Sequence, residues 1–201
     1  MKLHLIGMLA VLIPIAGSQP AAAADPAPPK LVVRALADKE VTELPPGPLF
    51  WRIDRFPARA QAEAAAGRFS LVAETGGQVW LFTLGPAGGS SAGGTKVAEI
   101  GPIAPISASR YLLRINEASG PPGAVTSVHS HPGSEAFYVL AGETTSHTPE
   151  RTTRIAAGES MAGNAAGTPM QVSSSGTRDL HSLVMFVVDA AKPFSSPAKL
   201  P

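Results

Sequence analysis

The chain has no cysteine at all, which excludes a disulfide framework, a thiolate metal site and a cysteine nucleophile. Any metal it holds must be bound through His, carboxylate, Met or backbone oxygen. Charge of either sign is sparse and evenly matched, 16 Lys and Arg against 15 Asp and Glu in 201 residues. No basic footprint for nucleic acid or for an anionic membrane surface exists. Aromatic residues make up only 5%, whereas Gly and Pro number 20 each, so many short segments joined by turns are expected in place of a helical bundle. The 44% hydrophobic content is enough for the core of one ordinary globular domain.

The N-terminus has the pattern of a secretory signal. Lys2 is followed by the apolar run Leu3 to Ile15, and Ala21 to Ala24 offer small residues before Asp25. That run is shorter than the roughly 20 residues needed to span a bilayer, and Pro14 interrupts it. Residues 1–24 therefore read as a cleaved signal peptide, with no stable membrane anchor afterwards and a periplasmic or secreted destination. Residues 25–30 read as a flexible Pro/Ala-rich lead, and 31–201 as a single domain.

Within that domain, β-branched and alternating runs predict strands over 31–44 and 49–56, and Pro57 to Ala66 predicts one short Ala-rich helix packed closely on a sheet. Short strands follow over 69–74, 78–84, 96–100 and 110–117. Further strands are expected over 124–131, 135–140, 144–148, 152–155, 170–174 and 181–189. So many strands with one helix specify an all-β sandwich or barrel, and the lack of βαβ alternation argues against a Rossmann or TIM architecture.

Chemistry concentrates in one segment. His129 and His131 are two residues apart, so on a strand they share a face. If Pro132-Gly133-Ser134 forms a three-residue hairpin loop, His131 lies opposite Glu135 and His129 opposite Phe137, and the carboxylate joins both imidazoles. Two His and a carboxylate form a coordination shell for a divalent first-row metal with positions left open. His147 and His181 are better explained by a solvated rim and a polar turn, and Tyr138, Trp80 and Trp51 by ordinary packing.

The spacing Gly123-x5-His129-x-His131-x3-Glu135-x6-Gly142 resembles the first signature of the cupin superfamily at every fixed position. The resemblance implies a cupin jelly roll, a double-stranded β-helix barrel, with the N-terminal strands and helix over 31–105 and the barrel motifs over 106–190. It also implies metal ligands at His129, His131 and Glu135. The second signature departs from the pattern: aligning on Gly167 puts Met170 where the fourth ligand, a His, is expected.

Three readings of Met170 stay open: a thioether ligand favouring copper, a soft pocket-lining residue beside a three-ligand Fe, Mn or Zn site, or a member of an empty site. Two function classes remain as well. One is a metal-dependent enzyme of dioxygenase or other oxidoreductase type acting on a small organic molecule, with Glu135 as ligand or catalytic base and Phe137 in the pocket. The other is an exported metal- or small-molecule-binding protein without turnover. The sequence leaves room for a homodimer.

Overall fold

A computed structural model describes residues 27–201. The segment 1–24, read from the sequence as a signal peptide, lies outside the described residues. In chain order the elements are β1 (Val32–Val41), β2 (Phe50–Phe56), α1 (Arg59–Ala65), β3 (Ser70–Thr75), β4 (Gln78–Gly85), β5 (Thr95–Ile100), β6 (Tyr111–Gly120), β7 (His129–Ser130), β8 (Gly133–Ala141), β9 (Glu143–His147), β10 (Thr152–Ala156), β11 (Ser160–Met161), β12 (Gln171–Ser174), β13 (Leu180–Asp189) and β14 (Ser196–Pro197). The all-β jelly roll with one short helix is the observed fold class. No helix among the described residues is long and apolar enough to cross a membrane.

The organising element is a five-stranded sheet in the order β1-β6-β13-β8-β11. Both of its faces are covered, which is why β13 reads as an unbroken apolar run and not as an alternation. On β13, Leu183, Met185 and Val187 pack into one core, and Val184, Phe186 and Val188 into another. The same alternation on β8 sends Ala136 and Tyr138 one way and Phe137 and Val139 the other. The first core lies against the four-stranded sheet β3-β4-β2-β5, whose contributions include Trp51, Ile53, Trp80 and Phe82. The second is closed by the three-stranded sheet β10-β9-β12 through Ile155 and Val172, and it forms the barrel interior.

The helix packs on the outer side of the four-stranded sheet, where Ala62 is buried with Phe56 and Leu81. It is shorter than the expected 57–66. Ala58 is its cap residue and provides no side-chain hydrogen bond, so Pro57 and Ala58 stay outside the first turn.

Three local expectations are revised. Residues 124–131 do not form one continuous strand. Thr126 N–H donates to Val172 O, but the Thr126 hydroxyl, and not a main-chain carbonyl, takes the Val172 N–H, and regular pairing breaks there. Only β7 is a strand, and it pairs with β14, not with β8. The His131–Glu135 hairpin register is therefore absent, and β8 pairs instead with β13 and β11. Finally, ordered pairing begins before Leu31, since Pro29 O accepts from Val125 N–H and Lys30 bridges Val125.

Candidate metal and ligand site

The second core leaves a cavity of about 280 Å³. His129, His131, Glu135 and Phe137 all line it, together with apolar side chains such as Leu31, Val172, Val184 and Phe186. The three candidate ligands thus line one cavity, although the hairpin expected to bring them together does not form. Glu135 and Phe137 enter from β8 because residues 135, 137 and 139 share its barrel-facing side. The histidines arrive from across the barrel.

Both imidazoles are oriented by the main chain. Nδ1 of His129 lies 2.8 Å from Ser127 O, and Nδ1 of His131 lies 2.7 Å from Phe194 O. A carbonyl only accepts, so each Nδ1 carries the proton, and in the neutral ring Nε2 holds the free lone pair. Outer-shell bonds of this kind fix ring orientation in metal-binding histidines. Burial holds the His131 imidazole down at about 4, against the opposing effect of its Phe194 bond and with a smaller contribution from neighbouring His129. It is neutral at physiological pH.

Burial also pushes the Glu135 carboxyl up to about 7, partly countered by a hydrogen bond from Asn164. Asn164 Nδ2 lies 2.8 Å from Glu135 Oε1, while Glu135 Oε2 is 3.9 Å from His131 Nε2. The same Asn164 nitrogen lies 3.5 Å from Met170 Sδ and 3.3 Å from Ser146 Oγ. Gly163 makes this close approach possible: with φ of 80°, it packs so tightly on Glu135 O that any Cβ there would overlap it.

Met170 is buried and its main chain forms a two-way bridge with His129, N to O at 3.0 and 2.8 Å. Its main chain therefore lies beside that of His129, while the side chain is not among those lining the cavity. Among the described residues, no three His, Cys, Asp or Glu side chains already stand in closed metal-binding geometry. The donor set has the right chemistry, with two Nε2 lone pairs and a carboxylate oxygen, and needs side-chain closure to converge on one ion.

The C-terminal segment supplies residues that sequence reasoning missed. Phe194 walls the cavity, contacts the His131 and Phe186 rings at centroid distances of 4.8 and 4.9 Å, and lies under the Arg114 guanidinium. Pairing of β14 with His129 and Ser130 fastens this strap over the site. Pro193-Phe194 in an otherwise small and polar tail is the only sequence signal for it.

His181 and His147 are elsewhere. His181 Nε2 lies 2.7 Å from Glu117 Oε1 on the opposite face of the central sheet, where Thr75 also bonds Glu117. Burial raises the Glu117 carboxyl, but hydrogen bonds from Thr75, Arg34 and His181 outweigh it and the net shift is downward. His147 is exposed and bonds Thr152. Trp51 and Trp80 belong to the core between the sheets, and Tyr138 packs against it.

Residues 117–186 match the family described as a cupin domain. Solved structures similar to part of this chain include a cupin superfamily protein from Desulfitobacterium hafniense, at 16% identity over 38% of this chain and 68% of that one, with a TM-score of 0.35. A cupin-like protein from Thermotoga maritima is 15% identical over 44% of this chain and 65% of that one, TM-score 0.39. A DMSP lyase from Ruegeria pomeroyi is 22% identical over 43% of each chain, TM-score 0.38. The chain thus spans less than two thirds of the last two proteins' length. No curated protein matches the chain.

Proposed function

Because the chain belongs to the cupin superfamily, we propose that it is an exported metal-dependent enzyme of the dioxygenase or oxidoreductase type, acting on a small, largely apolar organic molecule. His129, His131 and Glu135 are the proposed ligands of a divalent transition ion, with Met170 beside them. The observation that carries this reading is the bonding of each imidazole's Nδ1 to a main-chain carbonyl, in a cavity whose titratable wall residues are these three. Export is read from Lys2, the apolar run 3–15 and Ala21 to Ala24.

An iron, manganese, copper or zinc ion bound there supplies Lewis acidity and, for iron or copper, redox chemistry. The protein's part is to present the two imidazole Nε2 atoms and the Glu135 carboxylate to the ion and to exclude water with Phe137, Phe186 and Phe194. Burial raises the Glu135 carboxyl to about 7 in the metal-free protein, so as a ligand it would give up that proton to the ion near neutral pH. Asn164 keeps Oε1 occupied and leaves Oε2 as the oxygen nearer His131.

Oxygen uptake tests the reading. Protein loaded with Fe(II) or copper should consume oxygen with a phenolic, enolic or thiol substrate, and zinc loading should silence it. One observation favours a second reading, a binder without turnover: among the cavity's lining residues Glu135 is the one carboxyl, and there is no further acid or base beyond the two histidines. Tight retention of one metal without oxygen uptake across the substrate panel would select it.

A further inference from the structure

One row of the central sheet runs from its edge to a proposed ligand. Strand register sets Asp38 of β1 opposite Arg114 of β6, Arg114 opposite Phe186 of β13, and Phe186 opposite Glu135 of β8. Side chains directly opposite one another in a sheet share a face, so all four stand on the barrel side. The same face of β6 carries Leu112 and Ala118, which pack into the second core. An arginine in this row needs an explanation, since an apolar side chain would pack there without desolvating a charge.

The Arg114 guanidinium is braced by Asp38, with Nη2 2.8 Å from Oδ2, and rests on the Phe194 ring at 4.6 Å from its centroid. The bond to Asp38 is its one side-chain hydrogen bond among the described residues, and its Nε is buried without a partner, so the aromatic face supplies the remaining attraction. The Phe194 ring meets Phe186 and His131 at 4.9 and 4.8 Å, and Phe186 meets His131 at 4.8 Å. The strap is anchored before Phe194 by Lys192 N–H on Asp189 O and after it by β14. Phe194 itself joins no main-chain pair among the described residues, so its ring locates it, and its carbonyl accepts from His131 Nδ1 at 2.7 Å. We infer that Arg114 is a positioning residue: braced by Asp38, it pins the Phe194 ring, and the pinned carbonyl of that residue keeps His131 in the Nδ1–H form with Nε2 free for an ion. The purpose of that orientation rests on the proposed metal-dependent reading.

Nitrogen chemical shifts of the two imidazoles in metal-free protein at neutral pH read the ratio of Nδ1–H to Nε2–H forms. In Arg114→Met, which removes the charge and keeps a long side chain, the His131 ratio should fall roughly 3- to 30-fold, the span of one partly desolvated cation–π contact. His129 is the internal control: Ser127 O, outside the strap, holds its Nδ1, and its ratio should not move. Adding Arg114→Met to Phe194→Ala should lower the His131 ratio no further than Phe194→Ala alone, because Arg114 acts through that ring. Asp38→Ala, at a site 47% exposed, decides the matter if Arg114→Met fails to fold, and it should move His131 in the same direction. An unchanged His131 ratio, equal shifts of both rings, or additive effects of Arg114→Met and Phe194→Ala would overturn the inference. Zinc affinity, measured by chelator competition, should fall only by the share of molecules that leave the Nδ1–H form. Zinc binding with an unmoved His131 ratio defeats this proposal and leaves the metal reading standing. A moved ratio in a protein that takes up no zinc, Fe(II), Mn(II) or copper defeats the metal reading alone.

Discussion

Asn164 donates to Oε1 of Glu135 at 2.8 Å, and this is the one side-chain hydrogen bond that the buried carboxyl makes among the described residues. Two chain segments meet in that bond, the loop after β11 and the start of β8, and Glu135 N–H returns a bond to Asn164 O at 3.3 Å. Asn164→Leu removes the donor that offsets burial. The Glu135 proton affinity should then rise above its present value near 7, and stability should fall by about 1 to 3 kcal/mol, the usual cost of unsatisfying a buried polar group. The pH midpoint of metal binding and denaturant titration read the two effects separately.

The pH dependence has a definite sign. Glu135 is raised by burial, so its contribution to stability is present below its unfolded value near 4.5 and is lost as pH rises through about 7. His131 is depressed by burial, so its contribution is present above 6.5 and is lost as pH falls through about 4. In metal-free protein the two slopes oppose each other between about 4.5 and 6.5, and stability should be nearly flat there. Glu135→Gln removes one slope, and stability should then rise with pH across that window. Metal affinity in the wild type should fall about tenfold per pH unit below 7, because the ion must displace the Glu135 proton.

The barrel and the cluster of candidate ligands were legible because their signals are local. The His129, His131 and Glu135 spacing, the Ala-rich helix and the apolar runs of β8 and β13 all survive in the structure. The route to convergence was not legible. Hairpin parity assumed that β7 and β8 pair, but Thr126 and Met170 draw residues 124–131 to the opposite wall, and the barrel brings the histidines back to Glu135. Asn164 and Phe194 escaped notice for a related reason. Their importance lies in contacts across 29 or more residues of sequence, and no local periodicity marks them.

The C-terminal strap orients both histidines, through Phe194 O on His131 and through β14 on His129. Ending the chain after Asp189 should weaken zinc binding by roughly 10- to 100-fold, the usual consequence of losing outer-shell partners, while the central sheet stays folded. Phe194→Ala keeps the carbonyl and should change zinc affinity much less, at a cost of about 1 to 2 kcal/mol for a half-buried ring. Equal zinc affinities in the full-length and shortened chains, measured by competition with a chromophoric chelator, would remove the strap from the account.

The most direct measurement is the metal content of protein purified without an affinity-metal step, wild type beside the His129→Ala/His131→Ala double variant. The account predicts about one divalent transition ion per chain in wild type. It predicts none in the double variant, whose circular dichroism should remain that of a folded β protein, since the two apolar cores and not the ion hold the barrel together. Metal-free wild type that also fails to take up Fe(II), Mn(II), copper or zinc, or a double variant that retains its metal, would contradict it.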